Sequence, residues 1–338
     1  MRCTVQKSNT RRAPAWSALQ TAAILLLCRL TVFFCCPAPY TAAYAMGMLA
    51  AVLLQAALLL PLAKLRHRLQ IPAPMLWIYR GFALFLAAYY AASGLRLMHM
   101  LHCPSPHLLP ALFLLTLLYT VSRTQAATAR TAVLLLVITA AAMLLLPVSG
   151  FRAAHAVSLY LPGNARAAFF REFRHSGELA LLPVLLTHAK PQEQYAPHAL
   201  TAVCIGRAAV LPLTVLLGTV QNGRLTAWEG SPFFLLLART PLSDAVRTDG
   251  FWLLLAAGCA VLCVTFALQQ AIPPRARPVR AALLAVPACA GLTLLLSRTG
   301  YDGTGLGIAA LLLGAALPYA CLLYNKIKGI AAMPRKEV

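Results

Sequence analysis

The stretch Phe169–Lys190 decides the fold, and it reads Phe-Phe-Arg-Glu-Phe-Arg-His-Ser-Gly-Glu-Leu-Ala-Leu-Leu-Pro-Val-Leu-Leu-Thr-His-Ala-Lys. Its apolar run, Leu179–Leu186, is too short to cross a bilayer, because a spanning helix needs about 20 residues. Gly177 and Glu178 stand directly before this run, although the chain has only eight acidic residues and none among the first 171. A carboxylate beside a short, proline-interrupted apolar segment is typical of the unwound part of a broken transporter helix. We therefore predict a broken helix at this position.

The composition indicates a polytopic membrane protein. Hydrophobic residues make up 60% of the 338 residues and charged residues only 11%, whereas a soluble domain carries roughly 25% charged residues. The net charge of +21 is spread between apolar runs, as in membrane loops, so nucleic-acid binding is not expected. The ten cysteines show no paired CxxC spacing and lie mostly within apolar runs, which argues against a disulfide framework.

Ten apolar segments are candidates for membrane spans. They lie near residues 17–36, 40–63, 75–98, 106–121, 131–148, 176–189, 199–220, 249–269, 281–296 and 305–324. The segment near 176–189 is the weakest of them. Although basic residues and an Ala-Tyr-Ala sequence near the start imitate a secretion signal, Arg29 interrupts the apolar run and a second run follows at once. We therefore expect a retained first span.

The distribution of Lys and Arg predicts the orientation. Basic residues are concentrated in the short loops that follow the second, fourth and eighth spans and in the two tails, residues 1–16 and 326–338. Because short basic loops stay in the cytoplasm, both tails are predicted to be cytoplasmic. Two cytoplasmic termini require an even number of spans, which supports counting the weak sixth one.

Five spans, a long external connection over 149–175 and five further spans form the layout of an inverted repeat. In the LeuT-type architecture, the first helix of each half is broken near the midplane and a substrate binds at the breaks. The sequence therefore predicts an all-α membrane protein with about ten transmembrane helices in a five-plus-five inverted repeat. Helices 1 and 6 are expected to be broken.

Arg29 lies near the middle of the first span, where a charge costs roughly 2.5–3.5 kcal/mol on insertion scales. One interpretation is that Arg29 faces the interior, where it pairs with Glu178 or holds a ligand carboxylate, with Thr31 as a hydrogen-bonding neighbour. The other is that it snorkels or binds backbone carbonyls. Arg80 and Arg207 lie closer to span ends, and snorkelling is expected for both.

Ser176, Gly177 and Glu178 are the candidate ligand-binding residues of the sixth span. Gly177 supplies the backbone freedom that an unwound segment needs. Alternatively, Ser176 caps a helix and Glu178 lies at the favourable positive end of its dipole. The two interpretations are compatible, because a helix N-terminus also suits an anionic group.

Tyr89 on the third span could line a cavity, although packing is the more common role of such a residue. His99, His102 and His107 have only Cys103 as company, so no metal site is predicted. The sequence contains no P-loop, HExxH or GxSxG motif. Neither an enzyme nor a cofactor is expected.

Several stretches resemble one family. They are the entrance to the first span, Ser17-Ala-Leu-Gln20; the loop Tyr119–Arg130; the break Ser176–Pro183; and the run Ser231–Arg239 with its continuation Val246–Trp252. The chain resembles the endospore germination permease family, the B-type membrane subunits of germinant receptors within the amino acid–polyamine–organocation superfamily. That family usually carries a glycine midway along the first span, where this chain has Leu26–Thr31.

The resemblance implies a permease-like subunit in the spore inner membrane that binds a small, amino-acid-like nutrient and signals germination. Its implied partners are a larger membrane subunit, a lipoprotein and the lipid bilayer. Two alternatives stay open: a secondary amino acid transporter of the same fold, and a membrane scaffold that binds no ligand.

Overall fold

The computed structural model of the chain describes residues 17–35, 41–65, 69, 71–100, 108–150, 163–188, 196–222, 249–273, 276–301 and 303–327. About 90% of this part of the chain is helical, and it contains no strand. The predicted all-α class is therefore confirmed. The predicted N-terminal tail and nearly all of the C-terminal tail lie outside the described residues.

Twelve α-helices, one 3₁₀ segment and one π segment make up the described chain. In order they are α1 Ala18–Cys35, α2 Ala42–Lys64, α3 Ala73–Met100, α4 Leu108–Val121, α5 Gln125–Gly150, α6 Ala165–Arg174, the 3₁₀ segment Gly177–Leu181, α7 Leu182–His188, α8 Ala196–Asn222, α9 Asp249–Ala271, α10 Pro278–Arg298, α11 Thr304–Leu311, the π segment Leu312–Ala316 and α12 Leu317–Ile327.

Among the described residues, six helical segments are long and apolar enough to cross a membrane: Ala42–Lys64, Ala73–Leu97, Gln125–Met143, Phe251–Ala271, Pro278–Arg298 and Gly305–Asn325. Four shorter apolar helices accompany them, at Leu19–Cys35, Pro110–Val121, Gly177–Leu186 and Leu200–Leu216. Large apolar side chains such as Met46, Leu254 and Leu284 are exposed on the outer faces of these helices. An apolar surface of this extent suits lipid rather than water, so the chain is a multi-pass membrane protein.

Helix α1 occupies the centre of the packing, in contact with α3, α5, α8 and α9. It is helical throughout Ala18–Cys35, so the predicted break in the first helix is wrong. The physical reason is local: the segment contains no glycine or proline, and apolar side chains fill its interior face.

The helical path from Ala165 to His188, which includes the predicted sixth span, is interrupted. Helix α6 ends at Arg174, His175 and Ser176 are not helical, and the chain resumes as the 3₁₀ segment before α7 begins. Every residue from His175 to Leu186 is buried. Within a membrane, an irregular backbone is tolerated only where it is buried in protein or lines a cavity. Here the surrounding helices bury the irregular backbone.

Part of the predicted long connection over 149–175 is helical, because Ala165–Arg174 forms a helix that packs against α2 and α11. Asn164 caps it, with its side-chain oxygen accepting a hydrogen bond from the Ala167 amide at 3.1 Å. A Cβ at Gly47 of α2 would lie 2.3 Å from the Ala165 carbonyl oxygen. Only glycine allows α2 and α6 to approach this closely.

The irregular part of the sixth crossing packs against a second irregular segment. The π segment Leu312–Ala316 lies against the 3₁₀ segment, and a Cβ at Gly314 would lie 2.8 Å from the Leu179 carbonyl oxygen. Short 3₁₀ and π stretches inside longer helices are often found at functional hinges. The two irregular segments therefore meet beside Glu178.

Candidate functional site

Four charged side chains from four helical segments meet in the interior. Arg29 comes from α1, Glu172 from α6, Glu178 from the 3₁₀ segment and Arg207 from α8. Their exposed fractions are 2%, 0%, 1% and 3%. Charges this deeply buried must be paired or they destabilise the fold. The formal charges of these four side chains cancel, which makes the group tolerable in a membrane protein. We call it the charge cluster.

Glu172 is the most fully bonded member of the charge cluster. Arg29 donates from Nε to Glu172 Oε1 at 2.8 Å and from Nη2 to Oε2. Arg207 donates from Nη2 to the same Oε1 at 2.9 Å. The forked contact with Arg29 is the strongest geometry available to a carboxylate and a guanidinium. Glu172 therefore ties α6 to both α1 and α8.

Ser176, at the helix break, completes the bonding. Its hydroxyl oxygen accepts from Arg207 Nη2 at 2.8 Å and from Gln55 Nε2 of α2 at 3.0 Å. The same hydroxyl donates to the Glu172 carbonyl oxygen at 2.6 Å. Because a hydroxyl has one donor and two acceptor positions, Ser176 is saturated. It fixes the backbone at the point where α6 ends.

Glu178 differs from Glu172 in its bonding. Its Oε1 lies 3.7 Å from Arg207 Nη1, which is an ion-pair distance but too long for a hydrogen bond. Neither carboxylate oxygen accepts a hydrogen bond from another residue of the described chain. A buried carboxylate without hydrogen bonds carries an uncompensated desolvation cost. Glu178 is thus a buried acceptor with free capacity.

Other unused polar atoms lie nearby. Within the described residues, Arg207 Nε and Gln55 Oε1 make no hydrogen bond. The Tyr90 hydroxyl interacts electrostatically with Glu178. It also makes no hydrogen bond of ordinary geometry within the described residues. A donor on Arg207 and acceptors on Glu178 and Gln55 are therefore available in one region. All of these atoms are enclosed by protein, so a small polar molecule would reach them only if the segments around the break moved apart.

The structure brings together four of the six predicted ligand-binding residues. Arg29, Ser176 and Glu178 belong to the charge cluster or bond to it, and Gly177 lies between the last two. A Cβ at Gly177 would lie 2.9 Å from Leu86 Cδ1, so close packing as well as backbone freedom favours glycine here.

The other two predicted residues lie apart from the charge cluster's hydrogen bonds. Tyr89 reaches the helix break through His175, with 2.8 Å between the hydroxyl and Nδ1. The Thr31 hydroxyl donates to the Leu27 carbonyl oxygen at 2.9 Å and lies 3.2 Å from Cys263 Sγ. Thr31 therefore uses its hydroxyl in helix packing.

Sequence reasoning missed Glu172, Gln55 and the role of Arg207. The ion partner of Arg29 is Glu172 rather than the expected Glu178. Arg207 does not snorkel, because it lies deep within α8 and its side chain is buried. The available signal was that Glu172 is the first acidic residue of the chain and stands four residues before Ser176, which is one helical turn.

The described residues contain no group of three potential metal ligands. The histidine cluster that was weighed as a metal site lies outside the part of the chain whose side chains are described. No protein-family model matches the chain. No curated protein and no solved structure matches it either.

Proposed function

We propose that this protein is a permease-like membrane subunit that binds a small, amino-acid-like metabolite at the break in its sixth crossing. The architecture we propose is a LeuT-type inverted repeat of ten crossings, with only the sixth helix broken. Six long and four shorter apolar helices support this number, since each of the ten predicted spans falls on one of them. The interruption after Arg174 supports the position of the site.

The observation that carries the proposal is the buried Glu178 carboxylate, which accepts no hydrogen bond from another of the described residues. A ligand ammonium group offers three donors and a positive charge, and would satisfy both oxygens. Arg207, whose Nη1 lies 3.7 Å from Glu178, would receive the ligand carboxylate. A zwitterion inserted into this long ion pair would replace one weak contact with two strong ones.

Binding at this position would act on the rest of the molecule through the two irregular segments. A ligand that separates Glu178 from Arg207 would move the 3₁₀ segment, and the π segment at Gly314 packs directly on it. Such a ligand shifts the population only if it binds one arrangement more tightly than the other. The biological role we propose is that of the B-type subunit of a nutrient germinant receptor in the spore inner membrane. Its partners would be a larger membrane subunit and a lipoprotein.

The test is equilibrium binding of the standard L-amino acids to the purified full chain in detergent, followed by thermal shift and by radiolabel. We expect at least one amino acid to bind. Glu178→Gln is expected to abolish that binding, because an amide cannot neutralise an ammonium group, and Glu178→Asp to retain part of it. Binding unchanged in Glu178→Gln would leave Glu178 as a helix-terminus residue only and would overturn the proposal.

The secondary-transporter alternative predicts uptake of the same amino acid into vesicles that contain the protein, above the level in empty vesicles. The receptor function predicts binding without uptake. It also predicts neighbouring genes for a larger membrane subunit and a lipoprotein. The scaffold alternative predicts that no amino acid binds.

A further inference from the structure

A groove of about 800 Å³ lies where the first parts of α3 and α10 meet the end of α9 and the connection that follows it. The three helices pack against one another in pairs. The walls of the groove combine three arginines, Arg80, Arg277 and Arg280, with apolar side chains such as Trp77 and Leu284. Its volume is in the range of about 300–1,000 Å³ that is typical of small-ligand sites. We call it the basic groove.

The protein does not balance the positive charge of the basic groove with any carboxylate that the structure describes. No aspartate or glutamate lines the groove. Glu172 and Glu178, the two carboxylates whose surroundings are described, are buried in the charge cluster and paired with its arginines. Three like charges that share one groove repel one another, so an anion that binds between them is stabilised.

Two of the arginines stand at the unfavourable end of a helix. Arg277 is the N-cap residue of α10 and Arg280 follows three positions later, so both lie in its first turn, at the positive end of the helix dipole. Cations there, and like charges three positions apart, both destabilise a helix. The Arg277 side chain caps none of the first-turn amides, which have no acceptor within the helix. An anion at this terminus would neutralise the arginines and accept hydrogen bonds from these amides, as phosphate groups do.

The apolar wall of the basic groove extends to the outer surface. The guanidinium carbon of Arg80 lies 4.8 Å from the centroid of the Trp77 ring, so a cation–π contact holds the Arg80 charge beside this wall. Trp77 and Leu284 are 64% and 76% exposed. Exposed apolar side chains on membrane helices face the hydrocarbon layer, and tryptophan favours its boundary with the headgroups. The groove therefore suits a ligand that has an anionic head and an apolar body.

The position of the basic groove favours a lipid over a soluble anion. The groove lies at the adjoining ends of three apolar helices, Ala73–Leu97, Phe251–Ala271 and Pro278–Arg298. The polar headgroup layer of a bilayer lies at the ends of such helices. The adjoining connections follow the second and eighth predicted spans, which the charge pattern predicts to be cytoplasmic. Anionic phospholipids give the cytoplasmic leaflet the negative potential that attracts basic segments.

We propose that the basic groove binds the headgroup of one anionic phospholipid of the surrounding bilayer. The lipid phosphate lies among Arg80, Arg277 and Arg280, and one acyl chain runs along Trp77 and Leu284. No residue of the charge cluster lines the groove, so this site is separate from the proposed amino-acid site. The proposal does not depend on the receptor function.

The experiment uses the purified full chain in phosphatidylcholine nanodiscs with one of two probes, a phosphatidylglycerol or a phosphatidylcholine that carries the same diazirine-bearing acyl chain. Crosslinked peptides are mapped by mass spectrometry. We expect phosphatidylglycerol to label α3 and α10 around Trp77 and Leu284 at least about fivefold more than phosphatidylcholine does. Equal labelling by the two probes would overturn the anionic headgroup.

The double variant Arg277→Gln, Arg280→Gln removes two charges from the groove and should bring the two probes to similar labelling. Its matched control is Arg123→Gln, Arg130→Gln. These two arginines are exposed, lie in or beside the connection after the fourth predicted span, and do not line the groove. The control should keep the preference for phosphatidylglycerol. An equal loss of preference in both double variants would show only a general attraction to basic surface and would overturn the site.

Gly81→Phe tests the groove without changing its charge. Gly81 lines the groove, and a Cβ there would meet nothing within 4 Å, so the ring enters open space and should abolish the preference for phosphatidylglycerol. Gly291→Phe is the matched control, because Gly291 is also exposed with nothing within 4 Å of a Cβ but does not line the groove. Equal preference in these two variants would contradict binding in the groove.

A soluble anion is excluded by competition. Glycerol 3-phosphate carries a phosphate but no acyl chain, and an excess of it should leave the labelling by phosphatidylglycerol unchanged. Loss of that labelling would assign the groove to a soluble phosphate and overturn the lipid. As a second measurement, phosphatidylglycerol added to the protein in detergent should raise the unfolding temperature of the unaltered chain but not that of Arg277→Gln, Arg280→Gln. An equal rise in both would also overturn the site.

Discussion

Glu172 and Glu178 stand six residues apart on the two sides of the helix break, and their hydrogen bonding is opposite. Glu172 accepts three hydrogen bonds from two arginines. Glu178 accepts none from other described residues and has only Arg207 at 3.7 Å. Both are buried, so burial alone does not distinguish a structural carboxylate from the one that we propose binds a ligand. The number of hydrogen bonds distinguishes them, because only a carboxylate with unused acceptor positions gains hydrogen bonds when a ligand binds.

The difference arises from backbone geometry on the two sides of the break. Glu172 lies in the last turns of α6, which projects it between α1 and α8. After the non-helical His175 and Ser176, the 3₁₀ segment turns Glu178 toward the side of Arg207 that Ser176 does not occupy. The helix break thus places Glu172 where two arginines donate hydrogen bonds to it, and it places Glu178 where no other described residue does.

The largest expected effect is that of Glu172→Gln. It leaves Arg29 and Arg207 buried with one carboxylate between them, and removing one partner of a buried ion pair costs about 3–5 kcal/mol. We expect a fall of that size in the free energy of unfolding, measured by denaturant titration of the purified protein in detergent micelles.

Glu178→Gln is the matched control for this measurement. It breaks the ion pair with Arg207 but no hydrogen bond from another described residue, so we expect a smaller fall in the free energy of unfolding, about 1–2 kcal/mol. Equal destabilisation by the two substitutions would erase the distinction between the two carboxylates.

The second effect concerns the contact between the two irregular segments. Gly314→Ala places a Cβ where it would lie 2.8 Å from the Leu179 carbonyl oxygen, and backbone cannot yield as a side chain can. We expect a loss of about 1–3 kcal/mol in the free energy of unfolding, the usual cost of overpacking, measured in the same titration.

Gly291→Ala supplies the control for Gly314→Ala, because it also lies within a helix and a Cβ there would meet nothing within 4 Å. Alanine in an open helical position should stabilise by roughly 0.5–1 kcal/mol. The two substitutions should therefore differ in sign, and a stabilising Gly314→Ala would disprove the tight contact.

The sequence predicted the helical class and the position of the irregular segment, and it offered an interior ion partner for Arg29 as one of two interpretations. The charge pattern could not identify that partner, because both carboxylates lie within reach of the same break and the choice depends on how α6 packs. Ala165–Arg174 was assigned to an external connection because spans alternate from an N-terminus placed inside, and its mixture of charged and apolar residues gave no span-length apolar run. The unbroken α1 follows from the lack of glycine and proline, which proved a better guide than the expected symmetry of the repeat.

Thr31→Val is expected to have the smallest effect. It tests whether a residue that makes no hydrogen bond to the charge cluster contributes to ligand binding. Its hydroxyl bonds to the Leu27 carbonyl oxygen within α1 and lies 3.2 Å from Cys263 Sγ, and it makes no hydrogen bond to Glu178. Since the Leu27 carbonyl keeps its helical partner, we expect a loss of about 0.5–1 kcal/mol in the free energy of unfolding and no change in amino-acid affinity.

Ser176→Ala is the contrasting variant, because it leaves the buried Gln55 amide without its acceptor. It should lower both the free energy of unfolding and the amino-acid affinity. If Thr31→Val weakened amino-acid binding as much as Ser176→Ala, the binding region would have to extend along α1, and free capacity at Glu178 would not be enough to define it.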